Sequence, residues 1–232
     1  MASVRQENIL KTDNPRTHCI RCGECCLRSS PTLQLEDIRL LRDGLIQRRD
    51  LYTIRIGEVV RDNINNQLKI SEEELIKIKE KDAGEGCIHY NEYGKACRIY
   101  DHRPAQCSAL ACWDEGEFMR VYKGPKLART RIIDDNILLG LVEQHEKNCS
   151  YRSLEKLVRQ IEVDGEKAVE AIIALLRFDH QLRPFVSEKM EIDPNEMDLV
   201  FGRPLTETIT MFGLQVTRKL DGSFFLTLHQ GS

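Results

Sequence analysis

The cysteine spacing constrains this chain more than any other feature. Eight of its nine cysteines fall into two groups. Cys19, Cys22, Cys25 and Cys26 form the first, within Cys19-Ile20-Arg21-Cys22-Gly23-Glu24-Cys25-Cys26, and Cys87, Cys97, Cys107 and Cys112 form the second. Cys149 lies outside both. A CxxC turn brings two sulfurs close enough to share one ion, and two such turns overlap here end to end. Gly23 sits between them, and a residue without Cβ accepts the positive φ of a sharp bend. Spacing of this kind points to thiolate ligation of metal.

A disulfide framework is the alternative, and the rest of the sequence argues against it. Residues Met1 to Lys11 hold no apolar core of signal-peptide length, so the expected location is the cytoplasm. Thiols there stay reduced, and clustered cysteines read as metal or catalytic sites. An odd count would also leave one thiol unpaired. The 232 residues suffice for one large domain or two small ones, and 41% hydrophobic content supports a core that metal need not carry alone. With 34 basic against 37 acidic residues the net charge is only −3, which selects for neither nucleic acid nor an anionic membrane. No apolar run approaches the roughly 20 residues that span a bilayer, so no membrane insertion is expected.

The pattern along the chain predicts an α+β fold. A small, loop-rich cysteine domain over residues 1–123 carries a hairpin insert, and a helical region with a C-terminal β-hairpin fills 124–232. Leu35, Ile38, Leu41 and Leu45 recur at helical intervals before Gly44 and its neighbours end the turn. Tyr52 to Ile56 alternates as a strand, and Gln67 to Ile70 is expected to pair with it across a turn at Asn63, Asn65 and Asn66. Ser71 followed by Glu74 fits a capping box, predicting an acidic helix through Lys79. Residues 83–86 then turn the chain into the second cysteine group. Helical periodicity covers Ile133 to Lys147, Leu154 to Ile161 and Val169 to Leu176, with Asp164-Gly165 between the last two. Leu220-Asp221-Gly222 predicts the turn of a hairpin from Phe212 to Leu228.

Thiolate ligands must lose their protons, so basic neighbours matter. Arg21 and Arg28 flank the first group, and Lys95, Arg98 and Arg103 the second; solvated surface residues are the equal alternative. Cys19, Cys22 and Cys25 at two-residue gaps resemble the run that embraces a four-iron cluster, although Cys26 follows at once and no proline comes next. Adjacent side chains tend to diverge, which a cluster with several iron corners accommodates more easily than one zinc does. Eight cysteines could equally make two tetrahedral zinc sites. Arg103-Pro104 sets a rigid turn that could aim Cys107 and Cys112 back at Cys97. His18, His89 and His102 read as neighbours of the ligands or surface residues before ligands, and His145 as an exposed helix residue. Trp113 reads as core packing beside the metal before a partner anchor.

These residues carry a resemblance. Cys19-x2-Cys22-Gly23-x-Cys25-Cys26, followed by Cys97-x-Ile99-Tyr100-x2-Arg103-Pro104-x2-Cys107, resembles the YkgJ-like cysteine-cluster proteins, whose domain is described as zinc- or iron-chelating. The likeness covers about the first half of the chain. It implies a metal-binding domain whose ligands, by position, are Cys19, Cys22, Cys25, Cys26, Cys87, Cys97, Cys107 and Cys112. The flagellin lysine methylase is a distant relative with a similar array.

Three functions follow as expectations. The first is an iron–sulfur protein, with a 4Fe-4S cluster, that relays electrons or serves as an accessory subunit to a redox enzyme, which would be its protein partner. The second is a zinc-stabilised adapter. The third is a protein-modifying enzyme related to the methylase, although the chain shows no Gly-rich cofactor loop and no catalytic residue can be named.

Overall fold

The computed structural model describes residues 17–62, 64, 67–81, 86–219 and 222–229. The reading of the N-terminal segment and the turns expected at Asn63, Asn65 and Asn66, at residues 83–85 and at Leu220-Asp221 lie outside the described residues.

The first cysteine group ends in a short helix, α1 (Glu24–Arg28). The predicted helical stretch follows as a 3-10 turn over Leu35–Asp37 and α2 (Ile38–Arg42). Four strands come next: β1 (Leu51–Ile54), β2 (Val59–Asp62), β3 (Gln67–Ile70) and β4 (Leu75–Ile78). Their pairing differs from the expected hairpin. β1 pairs antiparallel with β4, placing Leu51 opposite Ile78 and Thr53 opposite Ile76, while β2 pairs with β3 inside that loop. The acidic helix expected through Lys79 is therefore β4. Ile76 and Ile78 are buried while Leu75 and Lys77 are half-buried, an alternation that only a strand presents to one core. Ser71 does not cap a helix: its hydroxyl donates to the Glu73 carbonyl at 2.7 Å. Glu74 instead receives the Arg129 guanidinium. Tertiary burial here overrides a local capping pattern.

The second cysteine group holds β5 (Tyr90–Asn91), β6 (Ala96–Cys97) and α3 (Ala105–Ala109), followed by α4 (Gly116–Tyr122). Helices then take over as predicted. They are α5 (Arg129–Ile132), α6 (Asn136–Asn148), α7 (Tyr151–Asp164) and α8 (Glu166–Lys189). Asp135 caps α6 by accepting from the amides of Ile137 and Leu138, and Ser150 caps α7. α9 (Met197–Phe201) and α10 (Leu205–Thr208) lead to the expected terminal hairpin of β7 (Leu214–Arg218) and β8 (Phe224–Leu228). The fold is α+β. Among the described residues, no helix is long and apolar enough to cross a membrane.

Three apolar clusters fill the interior. One gathers Leu33, Leu40, Leu51, Ile76, Ile78 and Leu127 with Cys87 and with Leu199 from α9. A second packs α7 and α8 against the terminal hairpin, and a third joins α6, α8 and α9. Contacts run across position 123. Thr53 donates to the Leu199 carbonyl at 2.6 Å, and fully buried Arg55 reaches Glu146 at 3.0 Å and the Cys149 carbonyl at 2.7 Å. Arg129 binds Glu74 and Glu146 together. Removing one partner from such a buried charge set leaves the other uncompensated, so Arg55→Ala is expected to cost about 3 kcal/mol of stability. Urea unfolding of the full chain measures this, and an unchanged midpoint would contradict it.

His145 is fully buried, not exposed as its place on a helix suggested. Its face of α6 turns inward, where Nε2 meets Asp179 Oδ1 at 2.7 Å and the ring lies 4.9 Å from Phe201. Asp179 also accepts from Arg183 and from the Leu205 amide. Burial pushes the His145 pKa below its ordinary value, outweighing the pull of Asp179. Burial alone would raise Asp179, but the His145 hydrogen bond and the Arg183 charge bring it down to about 2. Both groups bind protons more weakly in the folded state. Their stabilisation is complete above pH 6.5 and is lost as pH falls, His145 first and Asp179 between roughly pH 4 and 2. The Asp179 share is on the order of 2 kcal/mol. Urea midpoints should therefore fall between pH 7 and pH 5, and His145→Gln should flatten that first step.

Candidate metal centre

Backbone contacts between the two cysteine groups build the site. The Cys87 amide donates to the Cys26 carbonyl at 2.7 Å. Both glycines beside this junction are required. A Cβ on Gly23, at φ 82°, would lie 2.2 Å from the Tyr90 hydroxyl, and one on Gly86, at φ 86°, 2.4 Å from the Cys26 carbonyl. Tyr90 in turn stands opposite Cys97 across the β5–β6 pair. Past the first group, the Ser30 amide and hydroxyl both donate to Glu80 at the end of β4. Cys107 rides on α3, whose position two interactions set. The buried Asp37 carboxylate accepts the Ala105 amide at 2.9 Å, and Gln106 accepts the Thr32 amide at 3.0 Å.

Five thiols from both groups, Cys25, Cys26, Cys87, Cys97 and Cys107, are linked by their charges. The Cys25 and Cys26 sulfurs are 3.9 Å apart and share a thiol hydrogen. That bond pushes Cys25 down to about 6 and Cys26 upward, with burial and the charges of Cys25, Cys107 and Cys97 adding to the rise. Burial pushes Cys87 up to about 11 and also raises Cys97 and Cys107, and each thiol feels the charge of others in the set. Arg103 works against these rises at Cys25, Cys97 and Cys107. Burial and like charge both disfavour the thiolate form, and a bound cation would offset them.

Local backbone geometry suits thiolates. The Arg21 amide lies 3.4 Å from the Cys19 sulfur as donor. The amides of His89 and Ile99 likewise donate towards Cys87 and Cys97, lowering each thiol against its burial. Each donor sits two residues past its cysteine, so the turn itself presents an N–H to sulfur, and hydrogen bonds to the charged form favour that form. The donor set therefore fits a thiophilic metal such as zinc or iron. His89 Nε2 is buried with no hydrogen-bond partner and adds a neutral imidazole nitrogen nearby.

The eight cysteines are not equally gathered. Cys25, Cys26, Cys87, Cys97 and Cys107 act on one another, Cys25 from an exposed position, and Cys19, Cys22 and Cys112 are exposed as well. Among the described residues, no three His, Cys, Asp or Glu side chains stand close enough to hold an ion between them. His18 and His102 are exposed, and Trp113 is 41% exposed. Cys149 is fully buried beside α7, and burial pushes it up to about 12. Sequence reasoning named Tyr100 only as part of the cysteine-cluster pattern and gave it no role, yet its ring carries Arg21 and Arg103 at 4.0 Å each. Its signal was its place three residues before Arg103 in the second cysteine group.

Residues 18–123 match the model of the CxxCxxCC family, described as "Putative zinc- or iron-chelating domain". The matched segment is just under half of the chain, and the match supports metal binding there. No curated protein and no solved structure matches the chain.

In metal-free protein at pH 7, iodoacetamide should label Cys19, Cys22, Cys25 and Cys112 quickly and Cys149 only on unfolding, because exposure and thiolate fraction set the rate. Peptide mass mapping over time reads the order. Early labelling of Cys149 would refute it.

Proposed function

We propose that the two cysteine groups together supply the ligands of an iron–sulfur cluster of the 4Fe-4S type, which draws four thiolates from the eight cysteines, and that the protein serves a redox enzyme as an electron relay or accessory subunit. One observation carries this reading: the Cys87 amide joins the Cys26 carbonyl at 2.7 Å, so ligand segments of both groups meet at one junction. The adjacent Cys25 and Cys26 sulfurs, 3.9 Å apart, suit the several iron corners of a cluster better than the one ion of a zinc site. Cys25, Cys26, Cys87, Cys97 and Cys107 are the inner candidates. Cys19, Cys22 and Cys112, on exposed turns, would join by rotating inward, and together these are the eight candidates among which the ligands fall. A bound cluster would supply one-electron exchange at a potential set by hydrogen bonds to its sulfurs and by solvent exposure.

The chain's own residues would prepare that role. The amides of Arg21, His89 and Ile99 point donors at sulfur, and Arg103 brings positive charge to thiolates that carry negative charge. Cys87, anchored in the apolar core, keeps one side of the centre dry. Exposed apolar side chains border the same segments, with Ile20 54%, Leu27 41% and Trp113 41% exposed. They suit docking of a protein partner close to the centre.

Anaerobically purified protein should be brown, with broad absorption near 400 nm and iron and sulfide on analysis, as thiolate-ligated clusters are. Serine at Cys25, Cys87 or Cys107 should lower bound metal at least about tenfold and destabilise the fold, while Cys149→Ser keeps full occupancy. Colourless protein holding zinc would establish the adapter reading instead. Full occupancy in all three serine variants would refute the ligand assignment.

A further inference from the structure

Arg21 holds an unusual backbone. Its φ is 56°, in the left-handed region that side chains other than glycine, asparagine and aspartate rarely adopt. Such a conformation persists only where the surroundings over-determine it. Two contacts do so here: the Arg21 amide against the Cys19 sulfur, and the Arg21 guanidinium 4.0 Å from the centroid of the Tyr100 ring. The same ring takes the Arg103 guanidinium, also at 4.0 Å. Arg21 belongs to the first cysteine group, while Tyr100 and Arg103 belong to the second. One aromatic face system therefore receives a cation from each.

We propose that Tyr100 is a positioning residue for the metal centre, its ring binding Arg21 and Arg103 together and so tethering the exposed Cys19–Cys22 turn to the segment that carries Cys97 and Cys107. The tether needs the π-face and not the hydroxyl, because a guanidinium over a ring is attracted by the ring quadrupole. It acts where the backbone junction does not reach. The Cys87–Cys26 hydrogen bond secures the C-terminal end of the first group, whereas Cys19 and Cys22 lie ahead of it on the Arg21 side. Arg103 gains as well: its Nε is buried with no hydrogen-bond partner, so the stack on Tyr100 is what orients this cation. Pro104 follows directly and, with φ locked by its ring, stiffens the same turn.

This inference rests on the metal-site reading for its consequence, but the tether itself can be measured without metal. In the full chain, Zn²⁺ affinity is read by competition with a chromophoric chelator, and stability by urea unfolding of metal-free protein. Tyr100→Leu should weaken zinc binding about tenfold, as loss of a group that orients ligands does, whereas Tyr100→Phe should stay within about threefold because it keeps the ring face. Arg21→Ala should lower both zinc affinity and the metal-free midpoint in the wild-type background and change neither in the Tyr100→Leu background. Equal affinity in Tyr100→Leu, equal damage from Tyr100→Phe, or additive effects of the two substitutions would each overturn the proposal. Should Tyr100→Leu fail to fold, Arg21→Ala and Arg21→Lys decide: wild-type zinc affinity in Arg21→Ala refutes the tether, and partial recovery in Arg21→Lys supports it. A wild-type chain that binds neither zinc nor iron would sink the metal reading, and the tether would then stand or fall on the metal-free cycle.

Discussion

Cys87 belongs to two environments, and much of the structure depends on that. Its side chain packs in the apolar cluster with Leu33, Leu51, Ile76 and Leu199, while its amide donates to the Cys26 carbonyl. The first link seats the second cysteine group on the β1–β4 core. The second brings the first group onto the same floor. Two glycines make the approach possible, since any Cβ at Gly23 or Gly86 would collide with Tyr90 or with the Cys26–Leu27 backbone. A loop-rich site gains a rigid base this way without long regular elements.

The site is polar chemistry resting on apolar packing, and its thiols resist one another. Burial and mutual charge raise Cys26, Cys87, Cys97 and Cys107. Neighbouring amides and Arg103 pull the other way at several of them. A metal cation would settle that tension by supplying the positive charge directly, which is why binding and folding are coupled at such sites.

The helical half contributes a different kind of order. Arg55, Arg129, Glu74 and Glu146 form a charge set that joins the strand region to α5 and α6. His145, Asp179 and Arg183 form another between α6 and α8. Every member has an opposite charge or a hydrogen-bond partner, as groups kept in an interior need, although Arg55 Nη1 and His145 Nδ1 are buried without one. These networks hold elements in register; they show none of the exposure or thiolate chemistry found around the cysteines.

Much of this was legible in the order of residues alone. Cysteine spacing announced a thiolate site, because ligand turns are local and their spacing is written directly in the chain. The periodicity of α6, α7 and α8 and the terminal hairpin were readable for the same reason, since each depends on neighbours a few residues apart. The strand pairing was not. Residues 67–70 look like a partner for β1, yet β4 takes that place, because Ile76 and Ile78 add one buried face to the core around Leu51 while residues 67–70 are exposed. Residues 71–79 carried a helix-capping signal that burial overrode. His145 looked exposed because its inward face is defined by Asp179 and Phe201, 34 and 56 positions away (179 − 145 and 201 − 145). Tyr100 was read only as part of the cysteine pattern, because its value as a platform appears only when the distant Arg21 joins Arg103 on the ring. Local chemistry is set by adjacent residues, whereas pairing, burial and convergence are set by which distant surfaces exclude water together.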